Sequence, residues 1–168
     1  MNSIAIQAFE TPFGELLLGV HRDRLCLCDW RFRKMRERID ARIQQGLEAG
    51  YEERDDPLFA QVRRQLDEYF RRGRTSFDVP LSFVGTDFQK RVWNGLLQIP
   101  YGETRSYAEL AQQACSPGSV RAVGTANGAN ALSIVVPCHR VIAADGRLAG
   151  YAGGTRVKKR LLELENGS

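Results

Sequence analysis

The chain has 168 residues, of which 43% are hydrophobic and 26% are charged, and its net charge is +4. This length and composition are typical of one domain of ordinary size, or of a small domain packed against a larger one, and they exclude a disordered or fibrous chain. No apolar run is long enough to span a bilayer, and Met1–Ile6 lacks the layout of a signal peptide, so we expect a cytoplasmic protein with reduced thiols and no membrane contact.

The first half of the chain reads as a sheet followed by two helices. The first thirty residues alternate apolar and polar side chains, which predicts an antiparallel meander. A basic helix with Met35, Ile39 and Ile43 on one face follows, and the polar stretch from Gly46 to Asp56 predicts a loop. A second helix is expected from Pro57, with Asp55 or Asp56 as its cap, until Gly73 ends it.

Four cysteines are present, at positions 26, 28, 115 and 138. Cys26 and Cys28 alternate with leucines in a predicted strand, which indicates burial. His21 lies nearby, but no fourth ligand is evident, so we predict no metal and no cofactor.

The second half contains many helix caps and turn signals. We place an approximate domain boundary near residue 85, giving domains 1–84 and 85–168. Thr86 with Gln89 and Ser106 with Glu109 form two capping boxes, each opening a helix. Ser116-Pro117 predicts the cap of a third helix from about residue 118 to 127, and the last two of these form a helix-turn-helix pattern. A final helix follows Gly153-Gly154.

The excess positive charge lies in the second half. Residues 104–168 contain 8 Lys or Arg against 4 Asp or Glu, whereas residues 1–103 contain 16 of each. Between Leu110 and Ala144 the chain has Arg121 and Arg140 and no carboxylate. A surface of this kind suits a polyanionic partner.

The most informative motif is Pro137-Cys138-His139-Arg140, after the apolar run Leu132–Val136. That run predicts a strand stopped by proline, with a thiol nucleophile and an imidazole base at its end. Direct contact between the two side chains needs a turn or a water, because regular strand geometry sends them to opposite faces. The alternative is that Cys138 is a small buried hydrophobe.

Together these motifs resemble the O6-alkylguanine-DNA alkyltransferases, which repair DNA by direct reversal. The resemblance covers almost all of residues 86–165, whereas the first half matches only in outline. The segments that carry it are Phe88-Gln89 with Val92-Trp93, Ile99 to Glu103, Ser106-Tyr107 with Leu110-Ala111, Arg121 to Gly124, Asn130, Ile134 to Ile142, Gly150-Tyr151 with Gly153-Gly154, and Lys158 to Glu165.

The resemblance implies an α+β fold. Its N-terminal domain would be ribonuclease-H-like, α/β, with a small antiparallel sheet. Its C-terminal domain would be helical and would carry the active-site cysteine and a helix-turn-helix that enters the minor groove of double-stranded DNA. The damaged guanine would be flipped out, and its alkyl group would pass to Cys138 in one irreversible SN2 step, with O4-alkylthymine as a further substrate left open.

The resemblance also assigns roles to individual residues. His139, through a water, would take the thiol proton and Glu165 would orient the imidazole, while Tyr107 would donate a proton to the leaving base. Arg121 would fill the gap left by the flipped nucleotide. The remaining assignments are Asn130 as a brace for the turn, Ala122, Gly124 and Tyr107 at the DNA, and Val141, Tyr151 and Ala152 at the base pocket.

Other functions stay open at this point. Cys138 and His139 would also suit a cysteine hydrolase acting on an acyl group, which would turn over many times. A non-catalytic DNA-damage sensor would not need the cysteine, and a transcriptional regulator would need a further domain. We expect a monomer, with cooperative assembly on DNA left open.

Overall fold

This computed structural model describes residues 2–114, 116–148 and 150–167, so Cys115 lies outside the described residues. The chain forms two units, Met1–Gly85 and Thr86–Ser168. The first carries a four-stranded sheet and two helices, and the second is mainly helical. The predicted α+β fold is confirmed.

The N-terminal unit is built on a sheet of strand order β3-β2-β1-β4. Its elements are β1 (Ser3–Thr11), β2 (Gly14–His21), β3 (Arg24–Trp30), α1 (Arg36–Leu47), β4 (Gly50–Glu53) and α2 (Pro57–Phe70). β1, β2 and β3 pair antiparallel, which confirms the predicted meander. The core contains Ile39 and Ile43 of α1 and Phe59, Val62, Leu66 and Tyr69 of α2.

The prediction of a loop from Gly46 to Asp56 is wrong. α1 continues to Leu47, and β4 pairs in parallel with the edge of β1. The sequence pattern misses this strand because three of its four residues are exposed and only Tyr51 is half-buried. Tyr51 is held by polar contacts, its amide donating to Gln44 Oε1 at 3.1 Å and its hydroxyl to Asp40 at 2.7 Å. Asp56 does cap α2, accepting from the amide of Leu58 at 2.9 Å.

Cys26 and Cys28 are buried in β3, as predicted. Burial raises the pKa of Cys26 to about 12 and that of Cys28 as well, so both thiols stay protonated at neutral pH. His21 bonds Asn2 Oδ1 at 3.1 Å. Within the described residues, no group of three or more His, Cys, Asp or Glu side chains is arranged to hold a metal ion.

The C-terminal unit is a small helical assembly. Its elements are α3 (Asp87–Leu96), β5 (Arg105–Ser106), α4 (Tyr107–Gln113), α5 (Val120–Gly128), β6 (Val141–Ile142) and α6 (Thr155–Glu165). Both predicted capping boxes are present, and the Trp93 indole donates to Ala126 O at 2.9 Å, which ties α3 to α5. The short strands β5 and β6 pair in parallel.

The predicted cap of α5 is wrong. Ser116 and Pro117 lie in the turn between α4 and α5, and the residue that precedes α5 is Ser119, whose side chain makes no capping bond. The Ser116 amide instead donates to Ala111 O at 2.8 Å, which closes the end of α4. The Ser119 amide donates to Ser116 O at 3.0 Å and completes the turn.

The strand predicted over Leu132–Val136 is also wrong, because this run folds into a buried turn. The Val136 amide donates to Leu132 O at 2.8 Å, and Ile134 has a φ of 71° in the left-handed region. A buried turn and a buried strand have the same apolar composition, so hydrophobicity alone does not separate them. The turn leads directly to Pro137.

No helix in the described parts of the chain has the length and hydropathy needed to cross a bilayer.

Candidate active site

Cys138, His139 and Arg140 form a single 3₁₀ turn directly after Pro137. All three residues are buried, with 3%, 0% and 6% of their surface exposed. Because a 3₁₀ turn has three residues per turn, successive side chains point about 120° apart. The turn therefore directs a thiol, an imidazole and a guanidinium to three different sides.

Asn130 holds the backbone that leads into this turn. Its side-chain amide donates to Val136 O at 3.0 Å, and its side-chain oxygen accepts from the Leu132 amide at 3.0 Å. Both bonds are buried, so they satisfy backbone groups that water does not reach. Asn130 thus bonds the backbone at both ends of the turn from Leu132 to Val136.

His139 and Glu165 meet in the interior of the unit. His139 Nε2 lies 2.6 Å from Glu165 Oε2, which the last turn of α6 presents. Burial lowers the pKa of His139, although the hydrogen bond and charge of Glu165 act in the opposite direction. Nδ1 is buried and has no hydrogen-bond partner among the described residues. Since an ionised carboxylate only accepts, neutral His139 carries its proton on Nε2 and has a lone pair on Nδ1.

Glu165 is kept ionised by its donors. Burial alone would raise its pKa, but the hydrogen bonds and charges of His139 and Arg140 outweigh this and lower the pKa to about 2. The Gly102 amide also donates to Oε1 at 3.3 Å. Gly102 has a φ of 80°, and an added Cβ there would lie 3.4 Å from Glu165 O, so glycine suits this approach.

Arg140 belongs to this cluster, and the sequence reasoning did not assign it a site role. Its Nε donates to Glu165 Oε1 at 2.8 Å and its Nη2 to Oε2 at 3.1 Å. Its Nη1 donates to Ile99 O at 2.7 Å. The signal that was available is its position next to His139, in a stretch with few other charges.

Lys158 is a second residue that the sequence reasoning missed. It is fully buried on α6, and burial lowers its pKa while the charge of the Cys138 thiolate raises it. Lys158 and Glu165 are seven residues apart and share the buried face of α6 with Leu161. Its position on the apolar face of a helix, in line with Glu165, is the signal that could have identified Lys158.

Tyr107 opens α4 beside two glycines. An added Cβ at Gly124 would lie 3.7 Å from its ring, and one at Gly150 would lie 3.5 Å from its hydroxyl. Burial raises the pKa of Tyr107, and the charge of Cys138 raises it further, so the phenol stays protonated. Gly124 therefore packs closely against the ring of this tyrosine, and Gly150 against its hydroxyl.

The predicted pocket residues lie in two places. The Tyr151 ring meets His139 edge-on at a centroid distance of 6.4 Å, and the adjacent Ala152 is half-buried. Val141 is buried in β6, opposite Arg105.

The predicted DNA-contacting residues of α5 are not part of the buried cluster. Arg121 and Ala122 are exposed on its first turn, while Gly124 is half-buried against Tyr107. The structure therefore separates a buried reactive cluster from an exposed helix face.

Comparison with known proteins assigns both halves to one family. Residues 4–83 match the 6-O-methylguanine DNA methyltransferase ribonuclease-like domain, and residues 87–167 match the DNA binding domain of the same family.

The relatives agree with this assignment. A methylated-DNA--protein-cysteine methyltransferase of Methanosarcina acetivorans is 44% identical over 158 residues, covering 94% of this chain and 95% of that protein. One from Mycobacterium bovis is 58% identical over 111 residues, covering 66% of this chain and 67% of that protein.

A solved structure is similar over both units. The crystal structure of Mycobacterium tuberculosis OGT in complex with DNA superposes with a TM-score of 0.82 at 42% identity, covering 97% of this chain and 93% of that one. The chain belongs to the 6-O-methylguanine DNA methyltransferase family.

Proposed function

We propose that this protein repairs DNA by transferring the alkyl group of O6-alkylguanine to Cys138, once per molecule. The observation that carries the proposal is the buried contact of 2.6 Å between His139 and Glu165, one residue after a cysteine, in a chain of this family. Cys26 and Cys28 are poor candidates for the acceptor because burial keeps them protonated.

The chemistry is an SN2 displacement in which every group has a role. As His139 takes the thiol proton, through a water, the sulfur forms a bond to the alkyl carbon and the carbon–O6 bond breaks. The bonding electrons leave with the guanine, which gains a proton from Tyr107, and Glu165 stabilises the imidazolium. The product is a thioether, which offers water no carbonyl to attack, so the protein acts once.

DNA binding is assigned to the C-terminal domain, residues 85–168, with residues 1–84 as the N-terminal α/β domain. The exposed face of α5, with Arg121, Ala122 and Gly124, would enter the minor groove of duplex DNA. Arg121 would fill the gap after the base is flipped into a pocket lined by Val141, Tyr151 and Ala152. The small side chains of this helix support a close backbone approach.

Several finer points complete the proposal. The protein would act as a monomer in the cytoplasm, and it would need no metal or cofactor because the sulfur nucleophile, the base and the acid all come from the chain. O4-alkylthymine would present a similar alkyl–oxygen bond and could enter the same pocket.

Intact-protein mass spectrometry after mixing with duplex DNA that contains O6-methylguanine tests the proposal. We expect the mass of one methyl group per protein, mapped to the Cys138 peptide, and none in Cys138→Ser. Cys26→Ala, which removes another buried thiol, should still accept one methyl group. Continued turnover would favour the cysteine hydrolase, and binding without any methyl transfer would favour a non-catalytic damage sensor.

A further inference from the structure

The Arg140 guanidinium is used at all three of its nitrogens. Two of them donate hydrogen bonds to the carboxylate oxygens of Glu165, and the third donates to the Ile99 carbonyl. A planar fork on both carboxylate oxygens fixes the plane of the carboxylate as well as its position. Arg140 therefore determines which Glu165 oxygen faces His139, and at what angle.

This arrangement also fixes the protonation pattern of His139. Oε2 of Glu165 accepts from Arg140 Nη2 at 3.1 Å and lies 2.6 Å from His139 Nε2. With Glu165 ionised, Nε2 must be the donor, so the neutral ring keeps its lone pair on Nδ1. Nδ1 is the nitrogen without a partner among the described residues.

The charges around His139 favour the neutral ring. The positive charge of Arg140, paired with Glu165, offsets part of the negative charge of that carboxylate. The groups that act on His139 are Glu165 and Lys158 from α6 and Arg140 from its own turn, and the Tyr151 ring lies against its edge. Burial, Arg140 and Lys158 lower the pKa of His139, and Glu165 alone raises it. Without Arg140, the carboxylate would be free to stabilise an imidazolium before reaction.

We infer that Arg140 is a positioning residue for the alkyl transfer, which fixes Glu165 so that His139 waits as a neutral base with Nδ1 available for the Cys138 proton. This inference rests on the proposed function. The guanidinium donors of Arg140 go to Glu165 and to the Ile99 carbonyl, so Arg140 acts through Glu165. Its two contributions, the fork geometry and the positive charge, can be removed separately.

Two variants make this separation. Arg140→Gln keeps a hydrogen-bond donor and removes the charge, whereas Arg140→Lys keeps the charge and removes the fork. For each variant, the His139 ring is titrated by NMR without DNA, and the rate of methyl transfer from an O6-methylguanine duplex is measured against pH in single-turnover experiments.

In Arg140→Gln we expect the titration midpoint of His139 to rise by about one pH unit, since a neighbouring positive charge is lost. The midpoint of the acid limb of the pH–rate profile should shift to higher pH by the same amount. The plateau rate should fall about 10–100-fold, as is typical when supporting hydrogen bonds are lost. In Arg140→Lys the titration should stay near that of the wild type while the plateau rate still falls.

His21, the other histidine of the chain, is the internal control, and its titration should not move in either variant. A fall in rate in Arg140→Gln with no shift of the His139 titration would mean that Arg140 is merely structural and would overturn the inference. Full activity of Arg140→Lys would show that the fork is not needed and would overturn it as well.

Two further outcomes keep the inference testable on its own. If Arg140→Gln does not fold, the wild-type titration decides, because protonation of His139 at or above its ordinary pKa of 6.5 would contradict a ring held neutral. If the wild type transfers no methyl group, the proposed function fails, whereas the DNA-free titrations still show whether Arg140 sets the state of His139.

Discussion

The Asn130 side chain donates a buried hydrogen bond of 3.0 Å to the carbonyl of Val136, two residues before Cys138. It also accepts from the Leu132 amide, so one side chain closes the whole turn. The turn contains Ile134 at a φ of 71°, a conformation that costs a β-branched residue about 1–3 kcal/mol. The two bonds of Asn130 offset that cost and hold the backbone that places the nucleophile.

Replacing Asn130 by alanine should destabilise the C-terminal unit. The Leu132 amide would lose its bond to Asn130, whereas the Val136 carbonyl would still accept from the Cys138 amide at 2.8 Å. Leaving a buried group unpaired costs about 1–3 kcal/mol and losing a further hydrogen bond costs about 0.5–1.5 kcal/mol, so we expect the free energy of unfolding to fall by about 2–4 kcal/mol. Urea unfolding followed by tryptophan fluorescence measures it.

Asn127→Ala is the matched control for this change. Asn127 is similarly buried, at 3% exposure, but its side-chain oxygen has no hydrogen-bond partner among the described residues. Its replacement should therefore cost less than that of Asn130. Equal losses in the two variants would show that the bonds of Asn130 are not what holds the turn.

Glu165 should make the stability of the unit depend on acid. Its pKa is about 2 in the folded protein against an ordinary value of 4.5, so its contribution is complete above pH 4.5 and is lost as the pH falls toward 2. This shift corresponds to about 3 kcal/mol. Glu165→Gln should lower the unfolding free energy at neutral pH and flatten its dependence between these two pH values.

A pH series of urea unfolding curves measures this effect. Glu163→Gln, an exposed position on the same helix, should leave the curve close to that of the wild type. A Glu165→Gln variant that loses stability with acid as steeply as the wild type would contradict the assignment.

Much of the fold could be predicted because its signals are local. The capping boxes at Thr86 and Ser106 need only residues three positions apart, and the meander needs only alternation. The predictions for β4 and for the run before Pro137 failed because a partner outside each segment decides its conformation. β4 exists because the edge of β1 is beside it, and the turn before Pro137 exists because Asn130 reaches across it.

The site, too, has residues that could be predicted from local sequence and residues that could not. Cys138 and His139 were predicted from an adjacent motif, but Arg140 and Lys158 were not, because a charged residue is expected to face solvent. The burial of Arg140 accompanies its ion pair with Glu165, which lies 25 residues further along the chain. No local pattern reports that separation, although the buried face of α6 carries part of the signal.

Binding to undamaged DNA should be weak, nearly independent of sequence and sensitive to salt. The first turn of α5 exposes Arg121 and Ala122, and no carboxylate lies between Leu110 and Ala144, so phosphate contacts should dominate. We expect the affinity to fall at least about tenfold between roughly 50 and 200 mM salt. Fluorescence anisotropy measures it, with a minor-groove-binding drug as competitor. Sequence-specific binding that survives high salt, or that the drug leaves unchanged, would contradict a minor-groove mode.

Arg121 should support base flipping and not the chemical step. Its side chain is exposed on the first turn of α5, whereas His139 and Glu165 meet in the buried cluster. Flipping costs a few kcal/mol, so losing a side chain that fills the gap should slow repair of duplex DNA by about tenfold or more. Reaction of Arg121→Ala with free O6-alkylguanine base needs no extrusion and should proceed at close to the wild-type rate.

Lys159→Ala, which removes an exposed charge from α6, should repair the duplex nearly normally and so control for the loss of one positive charge. Equal slowing of Arg121→Ala on the duplex and the free base would instead place Arg121 in the chemical step.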